Sequence, residues 1–363
     1  MNTFNEFSLI PSLKKTLKEN GFTTPTEIQQ LSLPGLLEGK SMVGLAETGS
    51  GKTFSYVLPI LNKLKMMEND GDSIQVESQP RAVVIVPTRE LGEQVAKVFK
   101  TFTHSTRLRV RSLLGGTTMK LAKRNISGCF EVLVSTPSRI HQLGEHGLSL
   151  RDVQIIAFDE ADQLLDPSFI STANKLVDAC PSHPQMILFS ATISPVVQTL
   201  IENLFSGVEV VKSTGSHKVV STLTTQNQII KDGDRFSVIC TLLRRDNEGG
   251  ILLFTNTKAQ CDIVLEKLTE KGFHCAAFRG GMDRKERRDN LKKFYAKEVD
   301  VLISTDLASR GLDFQNVNCV INYHLPQEME NYLHRVGRTA RAGREGLVIN
   351  FVTERDKPLM DQL

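Results

Sequence analysis

Short runs of continuously apolar, largely β-branched residues alternate along the chain with longer stretches whose apolar positions recur at helical spacing. In the first part the runs are Ser41–Leu45, Ala82–Val86, Glu131–Ser135, Gln154–Phe158, Met186–Phe189 and Val208–Val211. A run without polar alternation suits a strand covered on both faces, as in a parallel sheet. Phe54–Met67 and Glu90–Phe102 carry the helical pattern between them, which predicts the βα repeat of an open, doubly wound sheet. The scheme repeats in Gly250–Phe254, His274–Phe278, Val299–Ile303, Cys319–Ile321 and Gly346–Val352. Between the two sets, Lys212–Lys218 is polar and lacks apolar periodicity. The pattern predicts two α/β domains, residues 1–211 and 219–363, joined by a short flexible linker at 212–218. The hydrophilic Glu68–Pro80 reads as a loop inside the first domain. Two such domains on a short tether imply a cleft lined by loops beyond the carboxyl ends of both sets of strands.

The length of 363 residues fits two domains. A content of 40% hydrophobic and 23% charged residues excludes disordered and low-complexity classes. No stretch approaches the roughly 18 consecutive apolar residues of a membrane span. Met1–Ile10 carries Glu6 and no basic flank, so no signal peptide is expected. The six cysteines lie far apart with no Cys-x-x-Cys pair, as expected for reduced thiols in the cytoplasm. The net charge of +3 does not announce a nucleic-acid binder. Residues 279–297, however, concentrate eight cations against three acids. That segment reads either as a solvated helix face or as a contact for a polyanion.

Three constellations carry chemistry. Ala46-Glu47-Thr48-Gly49-Ser50-Gly51-Lys52-Thr53 directly follows a predicted strand and precedes a predicted helix. A glycine-rich turn there aims backbone N–H groups and the positive end of the helix dipole at an anion. Lys52 would reach the β and γ phosphates of a nucleotide and Thr53 would bind Mg²⁺. The strict pattern expects Gly at position 46, and the plain alternative is a Gly/Ser-rich loop ending in an exposed lysine. Asp159-Glu160-Ala161-Asp162 follows the apolar Ile155–Phe158. Adjacent carboxylates at the end of a buried strand are costly without a cation. Mg²⁺ at Asp159 would compensate them and leave Glu160 to orient and deprotonate water; the alternative is a cap for the next helix. In His334-Arg335-Val336-Gly337-Arg338-Thr339-Ala340-Arg341, Arg338 and Arg341 share one face of a helical segment. Guanidinium groups match phosphate oxygens by forked hydrogen bonds, so both are candidate arginine fingers, the alternative being a basic surface helix.

With these residues in view, the chain resembles the DEAD-box RNA helicases of superfamily 2, from about Phe4 to Val352. The tetrad that gives the family its name stands at 159–162, and Gly21-Phe22 through Pro25-Thr26-Glu27-Ile28-Gln29 resembles the family's Q motif. The resemblance implies two RecA-like domains in tandem. It implies an ATP site at Phe4, Gln29, Thr48, Gly49, Ser50, Gly51, Lys52, Thr53 and Asp313, with Gln29 reading the adenine edge and Phe4, 17 residues before Gly21, stacking on the base. Thr53 and Asp159 hold Mg²⁺, partly through water. Ser190-Ala191-Thr192 and His334 couple the nucleotide site to RNA, and Thr88, Arg89, Gly116, Thr136, Arg139, Asn256, Arg287 and Thr305 face RNA. The chain departs from the family at Arg279 and Arg284, where His and Gln are common, and at His324, where Asp is common.

The resemblance therefore implies an ATP-dependent RNA helicase with ATP and Mg²⁺ as cofactors. In it, cleft closure brings Arg338 and Arg341 to the γ-phosphate, so hydrolysis needs both ligands, and the closed groove favours a bent single strand. The competing reading is an ATP-gated RNA clamp that a partner locks and that rarely turns over. An aromatic content of 6% without Trp makes backbone contacts dominant over base stacking. The expected partners are RNA, bound largely without sequence preference, and protein regulators. No membrane is expected, and the chain is expected to act as a monomer.

Overall fold

Strands form where the apolar runs lie because each run buries side chains on both faces. The structure, a computed structural model, describes residues 3–361 apart from 48, 116–117, 165–167, 181–183, 215–222, 232, 245–248, 307–313, 315–316 and 340–344; at 168, 196, 284 and 330 it describes the backbone alone. The chain divides into two units, Met1–His217 and Lys218–Leu363. None of the described helices is long and apolar enough to cross a membrane.

The first unit holds β1 (Met42–Leu45), β2 (Ala82–Ile85), β3 (Val110–Leu113), β4 (Val132–Ser135), β5 (Ile155–Phe158), β6 (Gln185–Ser190) and β7 (Glu209–Lys212). They form one sheet in the order β3-β4-β2-β5-β6-β1-β7, every pair parallel. Alternate residues feed two apolar clusters. Val84, Val134, Ala157 and Ile187 point to one, and Val83, Leu133, Ile156 and Leu188 to the other. Because all strands run the same way, the segments after β1, β2, β4, β5 and β6 emerge along one edge. These are the candidate phosphate loop, Pro87-Thr88, Thr136-Pro137, the carboxylate tetrad and the segment after Ser190.

The second unit holds β8 (Leu223–Ile229), β9 (Gly250–Phe254), β10 (Cys275–Phe278), β11 (Val301–Ser304), β12 (Val317–Asn322) and β13 (Gly346–Val352). Their order is β10-β11-β9-β12-β13-β8, again parallel throughout. Asn256 and Thr305 follow the carboxyl ends of β9 and β11.

Two strands are not anticipated by the hydrophobic pattern. β3 is a half-exposed edge strand, and β8 is polar and exposed along almost its whole length. β7, expected to be covered on both faces, buries only Val211. The anticipated linker also starts too early. Lys212 is paired within β7, the Ser213 N–H donates to the Leu45 carbonyl (3.0 Å), and the Thr214 hydroxyl lies 2.8 Å from a Glu27 carboxylate oxygen. Residues 212–214 thus belong to the first unit, and 215–218 lie outside the described residues.

Candidate active site and nucleic-acid face

The loop after β1 is tied to the sheet by the Ala46 N–H, which donates to the Ser190 carbonyl at 3.0 Å. Gly49 and Gly51 adopt φ of 86° and 92°, the left-handed region that glycine enters without strain. Gly51 is the N-cap of the helix Lys52–Asn69. A Cβ on it would lie 2.5 Å from Gln29 Nε2 and 3.0 Å from Thr26 Oγ1, so a larger residue would have to push the Gln29 amide aside. The Ser50 hydroxyl donates to the Glu47 carbonyl at 2.6 Å. Thr48 lies outside the described residues. Lys52 is buried at the first turn of that helix, and its Nζ has no hydrogen-bond partner. A buried ammonium left unpaired is costly, and an anion over the helix N-terminus would satisfy it. These residues fit a nucleotide triphosphate.

Gln29 sits at the third position of the helix Glu27–Leu37, where its side chain closes a capping box. The Thr26 N–H donates to Gln29 Oε1 (2.9 Å), and Gln29 Nε2 donates to the Gly51 carbonyl (2.9 Å). The Q-motif residue is thereby locked onto the glycine turn. Phe4 does not match its anticipated role. Its ring is 4% exposed within the first apolar cluster, 6.1 Å from the Phe7 ring, so no face is open for a base to stack on. Phe22 of the same motif is 40% exposed and meets the ring of Phe54 edge-on at 4.7 Å, which leaves it an open surface.

Behind the loop, Asp159 and Glu160 are both buried at the end of β5. Burial raises the Asp159 carboxyl to about 6; the charge of Glu160 pushes it the same way, while Lys52 and the Tyr56 hydrogen bond oppose the rise. The Tyr56 hydroxyl donates to Asp159 Oδ2 at 2.7 Å, and the Glu160 N–H donates to Oδ1 at 2.9 Å. Tyr56 is pushed well above its usual value, by burial first and by the Asp159 charge second, so it stays a donor. It also shares a hydrogen bond with Thr53, one helical turn earlier. Sequence reasoning missed Tyr56; its place three residues after Thr53, on the helix face toward β5, is the only signal for it. Glu160 has φ 50°, the left-handed region, a strain that a non-glycine residue holds only where the surroundings impose it. Its carboxylate accepts from the Gln163 amide. The Asp162 N–H donates to Ser190 Oγ (3.2 Å), which donates to the Thr192 carbonyl (2.7 Å), and the Thr192 hydroxyl lies 3.5 Å from Asp162 Oδ2. Ser190 and Thr192 are therefore bonded directly to the tetrad.

On the same edge, Thr88 caps the helix Arg89–Thr106 by accepting from the Leu91 N–H (3.3 Å). Arg89 donates to the Gly115 carbonyl (2.8 Å) and pairs with Glu93 (2.7 Å). Thr136 Oγ1 is buried without a hydrogen-bond partner at the start of the helix Pro137–Gly144. Arg139 is buried, with Nη1 2.7 Å from Met119 Sδ. Gly116 lies outside the described residues.

In the second unit, Arg287 stacks over the Phe278 ring at 4.4 Å. Arg279, standing where His is common, is engaged with Asp262 at 2.6 Å. Asn256 is not held open as a direct RNA contact: its Nδ2 donates to the Leu325 carbonyl (2.8 Å) and its Oδ1 accepts from Arg335 (2.8 Å). Thr305 is buried beside Asp306, which pairs with Arg335 at 2.5 Å. The Arg338 Nε donates to the backbone carbonyl of His334 (3.0 Å). Arg341, Asp313 and the Arg284 side chain lie outside the described residues. His324 is lowered to about 4 by burial and then by the charges of Arg235 and Arg335. The position where Asp is common thus carries a neutral ring at neutral pH.

Comparison with known proteins agrees with this geometry. A DEAD/DEAH box helicase family model matches residues 26–200, and a helicase conserved C-terminal domain matches 234–343. The chain is 35% identical over 367 residues to the probable ATP-dependent RNA helicase ddx27 of Dictyostelium discoideum, covering 99% of this chain and 46% of that one. It is 34% identical over 353 residues to the DEAD-box ATP-dependent RNA helicase RhpA of Helicobacter pylori, covering 97% and 70%. Among solved structures, Saccharomyces cerevisiae Dbp5 bound to RNA and ADP BeF3 matches with a TM-score of 0.86 and 25% identity, over 100% of this chain and 92% of that one. Mss116p bound to ssRNA and AMP-PNP matches with a TM-score of 0.85 and 25% identity, over 98% and 75%. A phosphate cradle holding an unpaired lysine, two buried carboxylates at the end of a neighbouring strand and an arginine-rich segment in the second unit, together with these matches, place the chain in the DEAD-box family of ATP-dependent RNA helicases.

Proposed function

We propose that the chain hydrolyses ATP in response to bound RNA and uses the cycle to separate short duplexes or to remodel RNA–protein complexes, acting as a monomer in the reducing environment of the cytoplasm. The observation that carries the reading is the buried Lys52 ammonium at the Gly51 turn, without a hydrogen-bond partner and near enough to Asp159 for its charge to act on that carboxyl. Lys52 and the N–H groups at the start of its helix take the β and γ phosphates. Gln29 and Phe22 take the adenine, in place of the stacking first assigned to Phe4. Thr53 and Asp159 would hold a magnesium ion, which would neutralise phosphate charge there. Glu160 orients the attacking water and accepts its proton. Arg338 and Arg341 stabilise the charge that develops on the γ-phosphate when ATP and RNA draw the two units together, and Asp313 takes the ribose. Ser190 and Thr192, bonded to Asp162, pass the state of the nucleotide to the RNA-facing edge. Coupling of this kind is reciprocal: RNA must tighten ATP as much as ATP tightens RNA.

RNA is held chiefly by its backbone, at Thr88, Arg89, Gly116, Thr136, Arg139, Arg287 and Thr305. The open Thr136 hydroxyl and the stacked Arg287 suit sugar and phosphate rather than base edges. Phosphate release from the full chain, measured with and without single-stranded RNA at two salt concentrations, tests the reading. RNA should stimulate hydrolysis strongly at low salt and weakly at high salt. Stable RNA retention with ATP and no turnover would establish the clamp instead, and hydrolysis indifferent to RNA would refute both.

A further inference from the structure

Arg335 lies in the arginine-rich segment yet has nothing left to offer a phosphate. Its Nε donates to Asp306 Oδ1 (2.5 Å), its Nη2 to Asp306 Oδ2 (2.8 Å) and Asn256 Oδ1 (2.8 Å), and its Nη1 to the His324 carbonyl (2.6 Å) and Asn322 Oδ1 (3.1 Å). A guanidinium has five N–H donors, and all five are used. The group is 1% exposed and sits 5.0 Å over the Phe254 ring.

The contact to Asn322 opens a second layer. Asn322, Asn350 and Asn227 stand side by side in register on β12, β13 and β8. Asn322 Nδ2 donates to Asn350 Oδ1 (2.8 Å), and Asn350 Nδ2 donates to Asn227 Oδ1 (2.9 Å) and to the Tyr332 hydroxyl (3.1 Å). Asn322 and Asn350 are fully buried among apolar neighbours on their strands, and Asn227 is exposed on the edge. Asparagine is disfavoured in strands, and an apolar residue would cover either position more cheaply. The orientation of the row is not arbitrary. A guanidinium can only donate, so Asn322 must turn its oxygen to Arg335 and its NH₂ to Asn350, which forces the same sense on Asn350 and Asn227. Three amide dipoles align with their oxygens toward the cation, each polarising the next.

We propose that the Asn322–Asn350–Asn227 row is a positioning device. It braces Arg335 from the sheet side, and Arg335 in turn fixes the loops after β9, β11 and β12 that carry Asn256, Asp306 and His324. The inference rests on the RNA-dependent ATPase reading, with these loops as part of its RNA-facing edge. The three asparagines touch neither ligand. Losing the row lets the guanidinium turn and its loops drift, which lowers RNA-stimulated turnover. ATP binding in the Lys52 cradle stays intact because none of these residues belongs to it.

The test compares the full wild-type chain with Asn350→Leu, Asn350→Asp and Ile349→Val. Readouts are kcat and KM of RNA-stimulated hydrolysis, binding of a fluorescent ATP analogue, and thermal unfolding. Asn350→Leu cuts the row in the middle and should lower kcat about tenfold, the scale of a small misplacement of reacting groups, with unchanged binding of the analogue. Asn350→Asp still accepts from Asn322, and the exposed Asn227 can turn its NH₂ toward it, so turnover should be largely restored. Ile349→Val, on the opposite face of β13, controls for simple loss of packing and should leave kcat unchanged at its own Tm. Should Asn350→Leu fail to fold, Asn227→Ala, at the exposed end, decides: a kcat lowered about two- to threefold at wild-type Tm supports the device. Wild-type turnover in Asn350→Leu, or in Asn227→Ala where that variant decides, overturns it. So does an equal fall in Ile349→Val. Absence of RNA stimulation in the wild-type chain refutes the functional reading instead.

Discussion

Replacing Asp159 by Asn should make the nucleotide-free chain more stable while abolishing its ATP-dependent activity. The carboxyl is buried, and burial is the main reason it titrates near 6 rather than at the ordinary 3.8. That difference makes the ionised native state about 3 kcal/mol costlier than an exposed carboxylate would be. Asn fits the same bonds. Its oxygen can accept from the Glu160 N–H, and its NH₂ can donate to the Tyr56 hydroxyl, which is able to accept as well as donate. The opposing attraction of Lys52 is already contained in that shift; an imperfect fit of the amide among the bonds the carboxylate made leaves a net of about 1–2 kcal/mol, or roughly 4 °C in Tm for a unit of this size.

The pH dependence separates this cause from a packing effect. The folded carboxyl binds its proton more tightly than the unfolded one. Between pH 3.8 and about 6 the native state therefore carries more protons, and wild-type stability from this group rises as the pH falls through 6. The advantage of Asp159→Asn should be largest at pH 8, smaller at pH 5 and nearly gone at pH 4. Thermal and urea unfolding of both chains in EDTA at those three pH values measures it, and every carboxylate other than the adjoining Glu160, which interacts with Asp159, cancels in the difference. With Mg²⁺ and ATP added at pH 8 the order should invert, because only the wild type gains the binding free energy. A variant that is less stable at pH 8, or whose gain ignores pH, would refute the assignment of Asp159 as a buried charge held ready for a cation.

Lys52→Ala should bind fluorescent ATP poorly and show no RNA-stimulated hydrolysis; normal turnover would remove the phosphate assignment. Glu160→Gln should keep ATP and RNA affinity yet release phosphate at least about a hundredfold more slowly, in the range of a lost general base, and filter retention should find RNA trapped on it. Gly51→Ala places a Cβ 2.5 Å from Gln29 Nε2 on a backbone that disfavours it, so the KM for ATP should rise with little change in kcat. Phe22→Ala should weaken ATP at constant Tm. Phe4→Ala should cost about 3–4 kcal/mol of stability as a core truncation, measured by urea unfolding, and the opposite pairing of effects would restore the stacking role to Phe4.

The sequence announces chemistry where spacing alone constrains it. Gly49, Gly51, Lys52 and Thr53 must be neighbours in the chain to form a phosphate turn, and Asp159 with Glu160 must share the end of one strand. Central strands are equally legible, since β2 and β5 bury every residue. Edge strands are not: β8 reads Leu-Thr-Thr-Gln-Asn-Gln-Ile, exposed along almost its whole length and without an apolar run. Burial of a particular ring is hidden too. Phe22 lies in the Q motif and Phe4 17 residues before Gly21, and only the docking of the N-terminal segment decides which ring is covered. The asparagine row is the extreme case, because residues 227, 322 and 350 meet only through the pairing order β12-β13-β8.

Two kinds of polar economy follow from the described residues, and they separate the kinetic consequences of mutation. Around the Gly51 turn the first unit keeps buried groups at a cost: a Lys52 ammonium with no hydrogen-bond acceptor and a hydrogen-bonded carboxyl raised to about 6 chiefly by burial. Such groups cost stability in the free chain and are repaid when a ligand supplies the missing charge, so altering them should act on the affinity for ATP as well as on chemistry. Around Arg335 the second unit does the reverse. Every donor of the guanidinium is matched within the fold, and the surrounding amides are matched in turn. A network already satisfied has no affinity to lend a ligand; what it holds is geometry, and its loss should appear in kcat at unchanged ATP binding. On the proposed reading the three arginines of this short segment divide the work: Arg335 is saturated and sets the frame, which would leave the transition-state charge to Arg338 and Arg341.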